Sequence, residues 1–213
     1  MRLALLFLLV AGVATAQEDT TAVGALRAEA EAAAPLAASS LGKSFLAATE
    51  FLPHVPTRIV WVDSSRTHAW TDAEAHALAD TTRTRLIRRE YDESFYYNTR
   101  YGSPLAYLLP LELLAAHGVK GVAGKRIMDF GYGTVGHLKL LGLLGADVVG
   151  VEVDPTLRAL YAGDTGKVGK AGHLALVDGQ WPATADVRAA AGEGFDVILS
   201  KNTLKRGYIH PAR

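Results

Sequence analysis

The chain contains no cysteine, so no disulfide can staple it, and its stability has to come from a packed core. It carries no net charge: 22 basic residues balance 22 acidic ones, which leaves no global electrostatic case for nucleic acid or an acidic membrane surface. No apolar run reaches the ~20 residues that a membrane-spanning helix needs. A Gly-x-Ser-x-Gly nucleophile elbow and a Gly-x-x-x-x-Gly-Lys-Ser/Thr phosphate loop are both missing, which removes support for hydrolase and nucleoside-triphosphatase chemistry. His54, His68, His76, His117 and His173 lack metal-ligand spacing, so no metal site is expected.

What is present begins at the amino terminus. Met1-Arg2 is a small basic start, Leu3 to Val13 an apolar run, and Ala14-Thr15-Ala16 a small-x-small cleavage pattern. Residues 1–16 therefore read as a secretory signal peptide, which predicts a periplasmic or secreted protein. Hydrophobic residues make up 49% of the chain, which suits a globular rather than a disordered product.

The most informative stretch is Asp129-Phe130-Gly131-Tyr132-Gly133-Thr134-Val135-Gly136. Arg126-Ile127-Met128 leads into it and His137 to Leu141 follows at helical spacing, which predicts a strand-to-helix turn made of glycine. Such a turn offers bare backbone and unpaired N–H groups to a polar or anionic ligand edge. Literally it is a Gly-x-Gly-x-x-Gly dinucleotide fingerprint, with Glu152 placed about twenty residues on to hold a ribose. Asp129, two positions ahead of the first glycine, argues against a pyrophosphate there and for a cationic, nucleoside-like ligand.

These residues resemble the class I S-adenosylmethionine-dependent methyltransferases. Asp129, Gly131 and Gly133 match that family's acidic-x-Gly-x-Gly loop, and Glu152 in Gly150-Val151-Glu152-Val153 matches its ribose-binding acid. Phe195 to Ser200 matches its fourth strand. The resemblance spans roughly Lys125 to Arg213. It implies S-adenosylmethionine as cofactor, held by Asp129, Gly131, Tyr132, Gly133, Glu152, Asp178, Gln180 and Ser200, and methyl transfer to an unknown acceptor. Where the family has Gly-Asp after its third strand, this chain reads Asp178-Gly179-Gln180, so the adenine contact is open between Asp178 and Gln180. The tail after Ser200 lacks the Asn/Asp-Pro-Pro-aromatic motif used on nucleic-acid amines. That tail brings Lys201, Lys205, Arg206 and His210 to the carboxyl edge of the sheet. Two alternatives stand beside this reading: an exported, non-catalytic binding module, or an NAD-binding protein.

The rest of the chain is read more coarsely. Residues 17–102 are expected to be a helical segment with one short strand, Thr57 to Asp63, and a helix capped by Thr71 and Glu74 that runs toward Glu90. Arg83, Arg85, Arg88 and Arg89 on that helix read as a solvated face. A helix from Leu105 to His117 should follow Ser103-Pro104, with a kink at Pro110. Tyr96, Tyr97, Arg100 and Tyr101 are candidates to line a pocket. Residues 103–213 alternate strand and helix, which predicts a doubly wound, mainly parallel α/β sheet. The family sheet has the order 3-2-1-4-5-7-6, and here the pattern stops after the fourth strand. The expectation is a truncated sheet, with Gly145 ending a helix and Gly150 allowing close strand packing.

Overall fold

A computed structural model of the chain describes residues 19–201. The expected signal peptide and the tail that contains Lys205, Arg206 and His210 lie outside the described residues.

The amino-terminal layer opens with α1 (Ala22–Ala33) and α2 (Ser40–Ala47). Each starts on a hydroxyl cap: Thr21 accepts from the Gly24 N–H and Ser39 from that of Gly42, each satisfying a donor that the first turn cannot pair internally. Three strands follow within the same layer, β1 (Arg58–Val62), β2 (Ala69–Thr71) and β3 (Ile87–Tyr91), paired antiparallel in the order β2-β1-β3. The short helices α3 (Asp72–His76) and α4 (Asp80–Arg83) lie between β2 and β3. The Thr71–Glu74 capping box forms as expected, but its helix ends at His76. The stretch Ile87 to Glu90, read as the end of that helix, belongs instead to the edge strand β3, and the layer has three strands rather than one. Its polar sequence carries no strand signal, and pairing along the whole of β1 decides its conformation.

Next come α5 (Glu93–Asn98), a 3₁₀ turn over Pro104–Tyr107, and α6 (Leu108–Ala116). Pro110 falls in the first turn of α6, where its missing N–H costs no internal bond. The break falls before it, at the change from 3₁₀ to α.

The main sheet is built from β4 (Arg126–Phe130), β5 (Asp147–Glu152), β6 (Gly166–Val168), β7 (Gly172–Asp178) and β8 (Val197–Leu199). Their order is β6-β7-β5-β4-β8, with β7, β5, β4 and β8 parallel and β6 antiparallel at one edge. The four parallel strands, taken in chain order, thus run third, second, first, fourth. The helices α7 (Gly136–Leu143), α8 (Pro155–Leu160) and α9 (Ala185–Ala191) connect them. This is a Rossmann-like α/β arrangement. The hairpin strand β6 was not foreseen: three residues that gain their order only by pairing with β7 carry no sequence signal.

Alternation along the strands divides the core in two. Ile127 and Val148 face α7 and the amino-terminal layer within one large cluster, while Met128, Val149 and Val151 pack with Val187 and Ala191 of α9. Gly145 (φ +89°) does end α7, and a Cβ on Gly150 would sit 2.6 Å from Leu138.

Two carboxylates tie the amino-terminal layer down. Glu93 accepts from the N–H groups of Ala22 (3.0 Å) and Val55 (2.9 Å), which fastens the start of α1 to α5. Asp164 receives Arg58 at 2.6 Å, the Tyr96 hydroxyl at 2.7 Å and Lys139 at 2.9 Å. Its side chain is only 8% exposed, so its charge depends on those three partners.

Among the described residues, no helix is long and apolar enough to cross a membrane.

Candidate functional site

The glycine turn lies where the sequence places it, at the carboxyl end of β4 and ahead of α7. Gly131 (φ +73°) and Gly133 (φ +60°) both take the left-handed conformation that other residues adopt only at a cost. The Gly131 N–H reaches back to the Val151 carbonyl at 2.8 Å, so the turn folds against β5.

Asp129 does not stand open at that turn. The strand runs on to Phe130, so Asp129 is still inside it, and alternation sends its side chain with Ile127 toward α7. There it is fully buried. Its Oδ2 lies 2.5 Å from Nε2 of the buried His137 and accepts from the Tyr107 hydroxyl at 2.6 Å. The Tyr107 and His137 rings stack at 3.6 Å between centroids. Burial raises the Tyr107 phenol far above its usual pKa, and the Asp129 charge adds to the shift. Asp129 therefore does not stand out to welcome a cation, contrary to what its place ahead of the glycines suggests: its carboxyl is engaged inside, with His137, which carries no motif of its own.

Glu152 ends β5 and faces the turn. Its Oε2 accepts from the Gly133 N–H at 3.1 Å, and its Oε1 from Val153 (2.8 Å) and Asp154 (3.2 Å). Three of about four acceptor positions are thus taken, and the carboxylate is held in place by backbone. In the parallel register Glu152 lies opposite Asp178 at the end of β7. Both border a cavity of about 200 Å³ whose walls include Tyr132, Leu176 and Val177. Partial desolvation raises the Asp178 carboxyl above its usual pKa, with Arg158 opposing the shift. Arg158 itself is bound to Glu74 (3.2 Å) and the Ala69 carbonyl (2.5 Å). The other adenine candidate, Gln180, is exposed and lines none of the principal cavities, and Ser200 is likewise exposed at the end of β8.

The aromatic stretch ahead of α6 divides by role. Tyr96 and Tyr97 are buried in the core: the Tyr96 hydroxyl meets Asp164, and that of Tyr97 meets the Pro53 carbonyl at 2.5 Å. Tyr101 lies over the glycine turn instead, and its neighbour Thr99 donates its hydroxyl to the Gly133 carbonyl at 2.9 Å. Arg100 reaches Asp154 at 2.7 Å and the Tyr101 hydroxyl at 2.9 Å. A strap of residues 99–101 thereby covers one side of Gly133. On its far side opens a second, larger cleft of about 940 Å³, which shares Glu152 with the first cavity.

No protein-family model, curated protein or solved structure matches this chain.

Proposed function

We propose that this chain binds S-adenosylmethionine at the carboxyl ends of β4, β5 and β7 and transfers its methyl group to an acceptor nucleophile. The observation that carries the reading is the pairing of Glu152 with Asp178 across the strand ends, beside a left-handed glycine turn and an apolar wall. Two neighbouring carboxylates favour a ligand rich in hydroxyls and amines and of positive charge. They take over the argument that Asp129 cannot make.

In this reading Glu152 accepts a ribose hydroxyl on its remaining acceptor position, and Asp178 accepts from an exocyclic amine. Tyr132, Leu176 and Val177 supply the apolar surface for a base. The exposed face of Tyr101 suits a sulfonium through cation–π attraction. The cofactor would supply an activated methyl for in-line displacement, and the chain's task is alignment rather than acid–base chemistry. The cavity of about 200 Å³ is smaller than the ~300–1,000 Å³ usual for ligand pockets, so the whole cofactor requires the strap at Tyr101 to give way. Export through the amino-terminal segment belongs to the same proposal.

A second reading, an NAD-binding site, gains from one observation. With Asp129 withdrawn into the core, one of the two carboxylates that would oppose a phosphate at Gly131 and Gly133 is gone, and only Glu152 would have to release the Gly133 N–H. Calorimetric titration of the protein with S-adenosylmethionine and with NAD separates the two. Saturable binding of S-adenosylmethionine alone supports the proposal, NAD alone supports the second reading, and binding of neither favours a non-catalytic module.

A further inference from the structure

The cleft of about 940 Å³ lies between the amino-terminal sheet and the ends of β5 and α8, and it contains both signs of charge. Its carboxylates are already engaged. Asp92 caps α5 through the Phe95 N–H at 2.8 Å, and Asp154 holds Arg100 and the Thr156 N–H. Glu90 pairs with Arg88, and Glu152 is tied to backbone.

Two of its arginines are not engaged. Among the described residues, the guanidinium groups of Arg66 and Arg89 have neither a carboxylate nor a hydrogen-bond partner. Both act on one point: burial raises the Tyr91 phenol above its usual pKa, and Arg89 and Arg66 are among the charges that pull it back. Arg89 gets there by register, because it pairs with Val60, shares the inward face of the sheet, and continues that face into the cleft beside Tyr91. Arg66 gets there by a tight turn. Its φ is +58°, and the Asp63 carboxylate below it accepts from Ser65 (2.8 Å) and from the Thr67 N–H (2.8 Å). The wall beside them is aromatic, with Tyr91 and Phe95 at 4.3 Å between ring centroids.

We infer that this cleft binds a small aromatic anion, its carboxylate or phosphate between Arg66 and Arg89 and its ring against Tyr91 and Phe95. Guanidinium groups recognise both acids by charge-assisted hydrogen bonds, and a flat ring matches the wall. The inference does not depend on which cofactor, if any, occupies the glycine turn.

The test titrates phenyl phosphate, benzoate, inorganic phosphate and neutral benzyl alcohol into the full chain and into Arg66→Gln, Arg89→Gln and Arg85→Gln variants. All three arginines are exposed, and Arg85, which does not line the cleft, controls for general surface charge. The expected result is saturable binding of at least one aromatic anion, weaker binding of inorganic phosphate, and none of benzyl alcohol. Arg66→Gln and Arg89→Gln should each weaken it about tenfold or more, as loss of a charge-assisted hydrogen bond implies, with Arg85→Gln unchanged. The preferred anion decides between carboxylate and phosphate. The inference is overturned if neither aromatic anion binds, if inorganic phosphate binds as tightly, or if Arg85→Gln weakens binding as much as the other two. Loss of S-adenosylmethionine binding alone would retire the proposed function and leave this cleft standing.

Discussion

The Tyr101 ring lies on the backbone of Gly133: a Cβ added there would stand 2.8 Å from Tyr101 Cδ2. The contact closes the approach to the glycine turn from the side of the larger cleft, and it predicts a two-part cost. Gly133→Ala should lose about 1–2 kcal/mol from the left-handed backbone alone, plus the displacement of Tyr101. Adding Tyr101→Ala should recover the packing part but not the backbone part. Urea denaturation of the two single variants and the double variant checks this, and strictly additive effects would show that the two residues do not meet.

Asp129 and His137 make a second prediction. His137→Ala leaves a fully buried acid with only Tyr107 and empties the volume of the ring, so it should cost about 3 kcal/mol or more, a lost buried hydrogen bond plus a cavity. Tyr107→Phe, which removes one hydrogen bond to the same carboxylate, should cost about 1.5–3 kcal/mol. If His137→Ala proved as stable as the parent, the buried pair would be refuted.

Asp164 joins three elements that are distant in sequence. Asp164→Ala leaves Lys139 without its carboxylate and Arg58 with only the Leu160 carbonyl in a largely buried setting, and a loss of about 3–5 kcal/mol is expected. Hydrogen exchange should show β1, α5 and the start of α7 losing protection together. Loss confined to the segment around Asp164 would mean that it does not link them.

The turn that presents Arg66 has a pH signature. Partial desolvation of Asp63 raises its carboxyl pKa, but hydrogen bonds from Ser65, Thr67 and His68 outweigh this and hold it far below the ordinary 3.8. Because the folded pKa is depressed, the stabilisation is fully present above the ordinary value and is lost only as pH falls toward the folded one. The Asp63 carboxyl carbon, followed by NMR, should remain in its ionised state well below the ordinary 3.8. Titration at the ordinary carboxylate value would contradict the turn.

How far these features could be read in advance depended on how local their causes are. The strands β4, β5, β7 and β8 carry their own short apolar runs, and the glycine turn announces itself by residue type. The Thr71–Glu74 box is likewise local, and it forms. Ile87-Arg88-Arg89-Glu90-Tyr91 has no such mark, because its conformation comes from its partner β1. The position of Asp129 failed for a related reason. Its side chain direction depends on where β4 ends, one residue later than the turn alone suggests, and Tyr107 comes from a separate element. Glu152 was legible as a strand-end acid. Its pairing with Asp178 required the parallel register, which settles that Asp178 rather than Gln180 borders the cavity.

The most direct test of the account is equilibrium binding of S-adenosylmethionine to the parent protein and to Glu152→Ala, measured side by side. The account predicts saturable binding to the parent and a loss of about tenfold or more in the variant, the scale of one hydrogen bond to an ionised group. No saturable binding to the parent, or equal binding to both, would contradict it.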